Sequence, residues 1–198
     1  SIAKWPAKGR PEALFTFGEK PETEPGFTGL IRAAGYPDIL PYCHAMCSAA
    51  IDRGILPHTN AGILSREEME CLRGVNASMG LMLETTARVP AHRRSPGKDP
   101  GVRTRMIEEA GQLRIPFTTG ILVGIGEAMG DREESLSLIR DLHRRYGHIQ
   151  EVIIQNFCPK EGTPMAGAPV PETDEFCVTI SMARDILPDD VAVQIAPN

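Results

Sequence analysis

Two periods of hydrophobic patterning alternate along this chain. Segments 12–18, 54–62, 75–85, 114–127, 148–159 and 191–195 carry apolar runs bounded by Gly, Pro or polar clusters, as strands do. Between them lie segments of helical spacing: a short one within 24–36, then 38–53, 65–74, 100–110, 131–146 and 173–187. Local chemistry marks their ends. Pro41 stands near the start of 38–53 and Gly54 stops it. Ser65, with Glu68 three residues on, reads as a capping box. Leu136, Ile139 and Leu142 share one face of 131–146, and the charges of that segment read as its solvated face. Strands alternating with helices predict an α/β fold around a parallel sheet, either a barrel or a doubly wound sheet.

The segment RIPFTTGILVGIGE (114–127) organises the rest. A continuous apolar run ending in Gly124-Ile125-Gly126-Glu127 reads as a buried parallel strand entering a turn, and glycines there admit close approach of a flat ligand. Alone, the pattern fits a plain strand-to-helix turn equally well. Other strands also end in polar or glycine-containing signatures, and in a barrel those ends form the functional face. A partial (β/α) TIM-type barrel, one domain over 1–198 with about six parallel strands, is therefore the expected fold.

Composition narrows the partners more than the fold. The 198 residues suffice for one core, and a net charge of −5 gives no basic footprint for nucleic acid. No apolar run is long enough to span a bilayer, so no membrane partner is expected. Five cysteines without paired spacing argue for a reducing, cytoplasmic setting. The chain opens at Ser1 without Met and closes beside a strand, so both ends read as cut from a longer protein.

The stretches EALFTFGEKPE (12–22), LPHTNAGILSREEME (56–70), VNASMGLMLE (75–84), HRRSPGKDPGVR (92–103), IPFTTGILVGIGE (115–127) and GHIQEVIIQNFCPKEGTPMA (147–166) resemble the radical S-adenosylmethionine enzymes. Within that family they resemble the branch that forms deazaflavins. The resemblance implies two cofactors, S-adenosylmethionine and a 4Fe-4S cluster held by a Cys-x-x-x-Cys-x-x-Cys loop. It implies deoxyadenosyl-radical closure of a deazaflavin ring, with release of ammonia, from an adduct of a tyrosine-derived hydroxybenzyl group and 5-amino-6-(ribitylamino)uracil. The implied partners are that adduct, a partner synthase subunit or fused domain, and an electron donor.

One departure matters. Cys43 and Cys47 in YCHAMCSAA have the first spacing of the cluster motif, but no third cysteine follows. At i, i+4 on a helix they share a face and read as packing residues, and so do Cys71, Cys158 and Cys177. No metal ligand is therefore assigned, and the polypeptide is expected to be inactive as written.

The resemblance implies these site residues. Phe17-Gly18-Glu19 would meet the cofactor ammonium, the alternative being a solvated turn. Glu84 would accept the ribose hydroxyls, or else serve a helix N-terminus. Arg103 would pair with the cofactor carboxylate, although a surface helix arginine fits as well. Gly124, Ile125 and Gly126 would line the adenine, with Phe157 and Pro159 beside them; Glu127 either caps or contacts nothing. His58 and Asn60, alternating on one strand face, and Thr119 and Gln155 near strand ends, are candidates for the ribityl chain and pyrimidinedione, against a core histidine for His58. No catalytic residue is named.

Three other readings stay open. One is the partner synthase that joins the tyrosine-derived group to the pyrimidine. Another is a non-catalytic barrel piece that only binds a partner or nucleotide. The last is a phosphate-using barrel enzyme without a cluster.

Overall fold

A computed structural model describes residues 12–196. Six parallel strands form one sheet whose order follows the chain: β1 (Glu12–Thr16), β2 (Leu56–Asn60), β3 (Ser78–Gly80), β4 (Phe117–Val123), β5 (Ile149–Asn156) and β6 (Ala192–Ile195). The helices between them are α1 (Phe27–Ala33), α2 (Ile39–Ile51), α3 (Arg66–Arg73), α4 (Pro100–Gln112), α5 (Met129–Tyr146) and α6 (Thr173–Ile186). Two compact units divide the chain, residues 1–80 and 81–198. None of the described helices is long and apolar enough to cross a membrane.

In the first unit β1 pairs with β2 from Glu12↔Leu56 to Thr16↔Asn60, and β2 with β3 at His58↔Ser78. The pleat sends Ala13 to one face, where it packs with Ala50 and Ile55. Asp38 caps α2, its carboxylate accepting from the Leu40 amide at 3.0 Å. Ser65 and Glu68 close the expected capping box on α3.

The second unit centres on β4. Phe117, Thr119, Ile121 and Val123 are all at most 1% exposed. That face is the packed one; Thr118 and Leu122, on the other, are only partly buried. Gly120 is demanded by packing, since a Cβ there would lie 2.2 Å from the Ile153 carbonyl oxygen of β5. Gly111 stands next to last in α4, which runs on to Gln112, and a Cβ there would meet the Tyr146 ring at 2.7 Å.

Three expectations change. The third strand, read as 75–85, is regular only over Ser78–Gly80. Beyond it the Leu83 amide donates to the Thr119 hydroxyl at 3.2 Å, not to a carbonyl, and Glu84 takes a left-handed backbone (φ 66°) before bridging Ile121. A side-chain acceptor in place of a ladder acceptor interrupts the strand. The charges of 131–146 are not one solvated face: Arg132, Ser135 and His143 are buried. Cys71, Cys158 and Cys177 are exposed, so they are not packing residues, whereas Cys43 and Cys47 are buried as expected.

Candidate functional site

In the first unit the ends of β1 and β2 come together. The Phe17 amide donates to the Asn60 carbonyl at 3.2 Å. The chain then turns through exposed Gly18 and Glu19. Gly62 (φ 69°) lets that turn approach, because a Cβ would lie 2.9 Å from the Glu19 Cα. Asn60 is half-buried at the strand end. His58, in the middle of the strand, is buried, with Nδ1 2.7 Å from the Ser78 hydroxyl and 3.9 Å from Glu12. Burial lowers the His58 pKa and Glu12 opposes this, so the ring is neutral at neutral pH.

Beneath β2, the Sγ atoms of Cys43 and Cys47 lie 3.7 and 3.6 Å from the Thr59 hydroxyl. Their hydrogen bond to each other, then burial, push the Cys43 thiol up. Among the described residues no group of three His, Cys, Asp or Glu is placed to hold a metal ion. An iron–sulfur cluster takes three or four converging thiolates, and the cysteines here do not fit one.

In the second unit the turn after β4 has two glycines in the left-handed half of backbone space, Gly124 (φ 95°) and Gly126 (φ 106°). Glu127, open at sequence level between a cap and no contact, clamps this turn. Its Oε1 accepts from the Gly124 amide and its Oε2 from the Ile125 amide, both at 2.8 Å. Arg132 on α5 donates to Oε1 through Nε at 2.8 Å and approaches it through Nη2 at 2.7 Å. The same guanidinium reaches Thr179 at 3.1 Å and Glu175 at 2.7 Å, both on α6. The Gly124 and Ile125 amides thus point at an internal carboxylate, which leaves neither to cradle a phosphate. Gly124 is covered by Pro171, whose Cγ would sit 2.2 Å from a Cβ there. Ile125 is buried, and Gly126 is exposed with nothing nearer its Cβ position than Pro90 at 3.9 Å.

A second buried glutamate ends the interrupted strand. Glu84 Oε2 lies 2.7 Å from His92 Nε2, Lys98 Nζ lies 3.1 Å from both oxygens, and Arg103 Nη1 lies 3.2 Å from Oε1. Burial alone would raise this carboxyl; the His92 hydrogen bond, then Arg103 and Lys98, outweigh it and bring it down to about 2. Arg103 is a buried residue, not a surface one, and its fork also donates to the carbonyls of Gly97 (2.9 Å) and Met82. His92 and Lys98 come from the Pro-rich loop 87–100, whose residues, among them Arg88, Val89, Arg93 and Asp99, wall a cavity of about 360 Å³.

The other expected residues divide by face. Thr119 has no exposed surface, and its hydroxyl serves the Leu83 amide, so it joins strands and lines no opening. Gln155, Phe157 and Pro159 are partly exposed at the end of β5, where the Phe157 amide donates to the Val123 carbonyl at 2.7 Å. Sequence reasoning missed the Arg132–Glu175 link. Its signal was a cation in the first turns of a helix, where the dipole disfavours it unless an anion is near.

No family model matches the chain. It is 68% identical over 192 residues to the 7,8-didemethyl-8-hydroxy-5-deazariboflavin synthase of Methanoculleus marisnigri, covering 97% of this chain and 58% of that protein. It is 61% identical over 197 residues to the protein of the same name from Methanoregula boonei, covering 100% and 60%. The chain therefore spans about three fifths of the length of these relatives. Among solved structures it superposes on the FeFe-hydrogenase maturase HydG of Carboxydothermus hydrogenoformans with a TM-score of 0.74 at 16% identity, covering 97% of this chain and 43% of that one. Methylornithine synthase (PylB) gives 0.70 at 17% identity, covering 94% and 50%. At such identities the structures show the fold alone.

Proposed function

We propose that this chain belongs to the 7,8-didemethyl-8-hydroxy-5-deazariboflavin synthases and is the nucleoside- and substrate-facing part of a radical S-adenosylmethionine enzyme that closes the deazaflavin ring. The reaction converts the hydroxybenzyl adduct of 5-amino-6-(ribitylamino)uracil into 7,8-didemethyl-8-hydroxy-5-deazariboflavin with loss of ammonia and of two hydrogens, a two-electron oxidation for which S-adenosylmethionine, leaving as 5′-deoxyadenosine and methionine, would be the oxidant. The observation that carries this reading is the 68% identity to a protein of that name along 97% of the chain.

The residues support it in stated roles. Glycine at 126 leaves an open, flat approach beside the turn, suited to the face of a purine. Phe17, Gly18 and Glu19 offer carbonyls and a carboxylate at a strand end, acceptors for an ammonium. Glu84 is held as an anion and can accept the hydroxyls of a ribose once a present partner yields. Arg103 reaches a ligand carboxylate only by exchanging one of its present acceptors. Asn60, Gln155 and His58 are the polar groups assigned to the ribityl chain and pyrimidinedione. S-adenosylmethionine, once bound and reductively cleaved by an electron from the implied donor, would supply the hydrogen-abstracting group; no step is assigned to an iron–sulfur cluster, whose ligands this chain does not present. The implied partners are an electron donor and the synthase that makes the adduct, and the implied setting is the cytoplasm.

The test uses the full product of the gene, reconstituted anaerobically with iron and sulfide and given S-adenosylmethionine, dithionite and the purified adduct. The expected outcome is loss of adduct, gain of the deazaflavin mass and one ammonia per product. Unchanged adduct, or coupling of tyrosine to the ribitylaminouracil instead, overturns the ring-closing assignment.

A further inference from the structure

We propose that Arg132 is a positioning residue for nucleoside binding, and that the start of α6 sets the glycine turn through it. The inference rests on the proposed function for the identity of the ligand, a purine nucleoside stacked on the turn. The lock itself rests on contacts within the second unit.

The turn contains two backbone positions that tolerate many conformations, Gly124 and Gly126. A side chain must select one of them. The Glu127 carboxylate does so by accepting two successive amides, and its side chain is only 1% exposed. A carboxylate so buried needs a cation, and Arg132, 3% exposed, is that cation. A guanidinium fork has donors left over, which Thr179 and Glu175 take. Glu175 touches Arg132 and not Glu127, so α6 reaches the turn through one intermediate. Pro171, just before α6, reaches it by a second route, resting on Gly124. The start of α6 thus holds the turn by a hydrogen-bonded chain and by direct packing. A base stacked on the turn gains affinity from this preorganisation, since it need not order the glycines on binding.

The experiment uses the full gene product with S-adenosylhomocysteine as probe. Dissociation constants come from calorimetry and turn mobility from amide exchange of the peptide carrying 124–127. Arg132→Gln is expected to weaken binding about tenfold, Arg132→Lys to fall between it and the parent, and Glu175→Ala to weaken it about threefold. Exchange at the Gly124 and Ile125 amides should accelerate in the same order, with β5 unchanged. Glu175 is half-exposed, so its variant carries the test in the event that Arg132→Gln fails to fold. An arginine that only stabilises the fold would lower the melting temperature and leave the dissociation constant of folded protein unmoved. That outcome in Arg132→Lys and Glu175→Ala, or parental exchange rates in the turn, overturns the proposal. A parent that binds no adenosyl ligand overturns the proposed function and the nucleoside assignment together, while the exchange series still decides whether α6 sets the turn.

Discussion

Glu84 and Glu127 are the same residue type at the same kind of place, just beyond a strand in the second unit, yet they are held in opposite ways. Glu127 is saturated from within. Two backbone amides and a buried guanidinium occupy it, and those donors cannot leave without the turn or α5 moving. Glu84 is held by side chains alone: His92 and Lys98 on a loop beside a cavity, and Arg103 on α4. Lys98 is 38% exposed. A carboxylate with such a partner can trade it for a ligand, whereas one bound by backbone shapes the backbone. Strand-end acids therefore divide by the mobility of their partners, and their position alone does not distinguish them.

The largest expected effect tests the structural half of that contrast. Arg132→Met should destabilise the folded protein by about 3–5 kcal/mol in denaturant melts, because it leaves Glu127 buried without its cation. A loss under 1 kcal/mol would mean that the two amides suffice. Next comes Glu84→Gln, expected to cost about 3 kcal/mol, the charge-dependent part of the Glu84 contribution. It removes the charge facing Arg103, but Arg103 keeps its carbonyl acceptors and Lys98 can turn to water. If Glu84→Gln costs more than Arg132→Met, the assignment of roles is reversed.

Acid unfolding sharpens the same point. The Glu84 carboxyl ionises at about 2 in the fold against an ordinary 4.5. Its stabilisation is therefore complete above pH 4.5 and lost as pH falls toward 2, roughly 3 kcal/mol in all. The stability gap between parent and Glu84→Gln should close over that window; a constant gap would show that the partners do not set the ionisation. His148 gives a separate limb. Burial lowers it to about 4, the Ile107 carbonyl opposing and His143 assisting, so its neutral ring stabilises above pH 6.5 and that contribution is lost on acidification to pH 4. This limb should be the same in both proteins.

The legible parts of the sequence were those governed by local rules. The capping box at Ser65, the stop at Gly54 and the alternation of strand with helix all depend on residues a few positions apart. Thr119 was misplaced because an apolar run has no alternation to fix its parity, so either face fits the letters. The break in the third strand depends on a hydroxyl 36 residues away, which no local window contains. Arg132 was read with its solvated neighbours, since helical periodicity places a charge on a face but does not say what stands opposite. The glycine turn was read as shaped for a ligand. Gly124 is shaped at least in part for Pro171, from a loop whose path the sequence does not disclose.

The smallest expected effect falls on Lys98. It sits 3.1 Å from both Glu84 oxygens, which gives it the geometry of a strong partner. Its exposure argues the other way: an ammonium in contact with water gives up little on leaving, and solvent screens what it gains. Lys98→Met keeps the apolar stem along the loop and removes only the charge. The stability change at neutral pH should stay under about 1 kcal/mol, because His92 and Arg103 still face the carboxylate. The acid limb should nonetheless begin at higher pH, since one of the groups that keep Glu84 ionised is gone. A destabilisation as large as that of Arg132→Met would place Lys98 among the fixed partners. Glu84 would then be as closed to a ligand as Glu127, and a ribose hydroxyl would have no partner to displace.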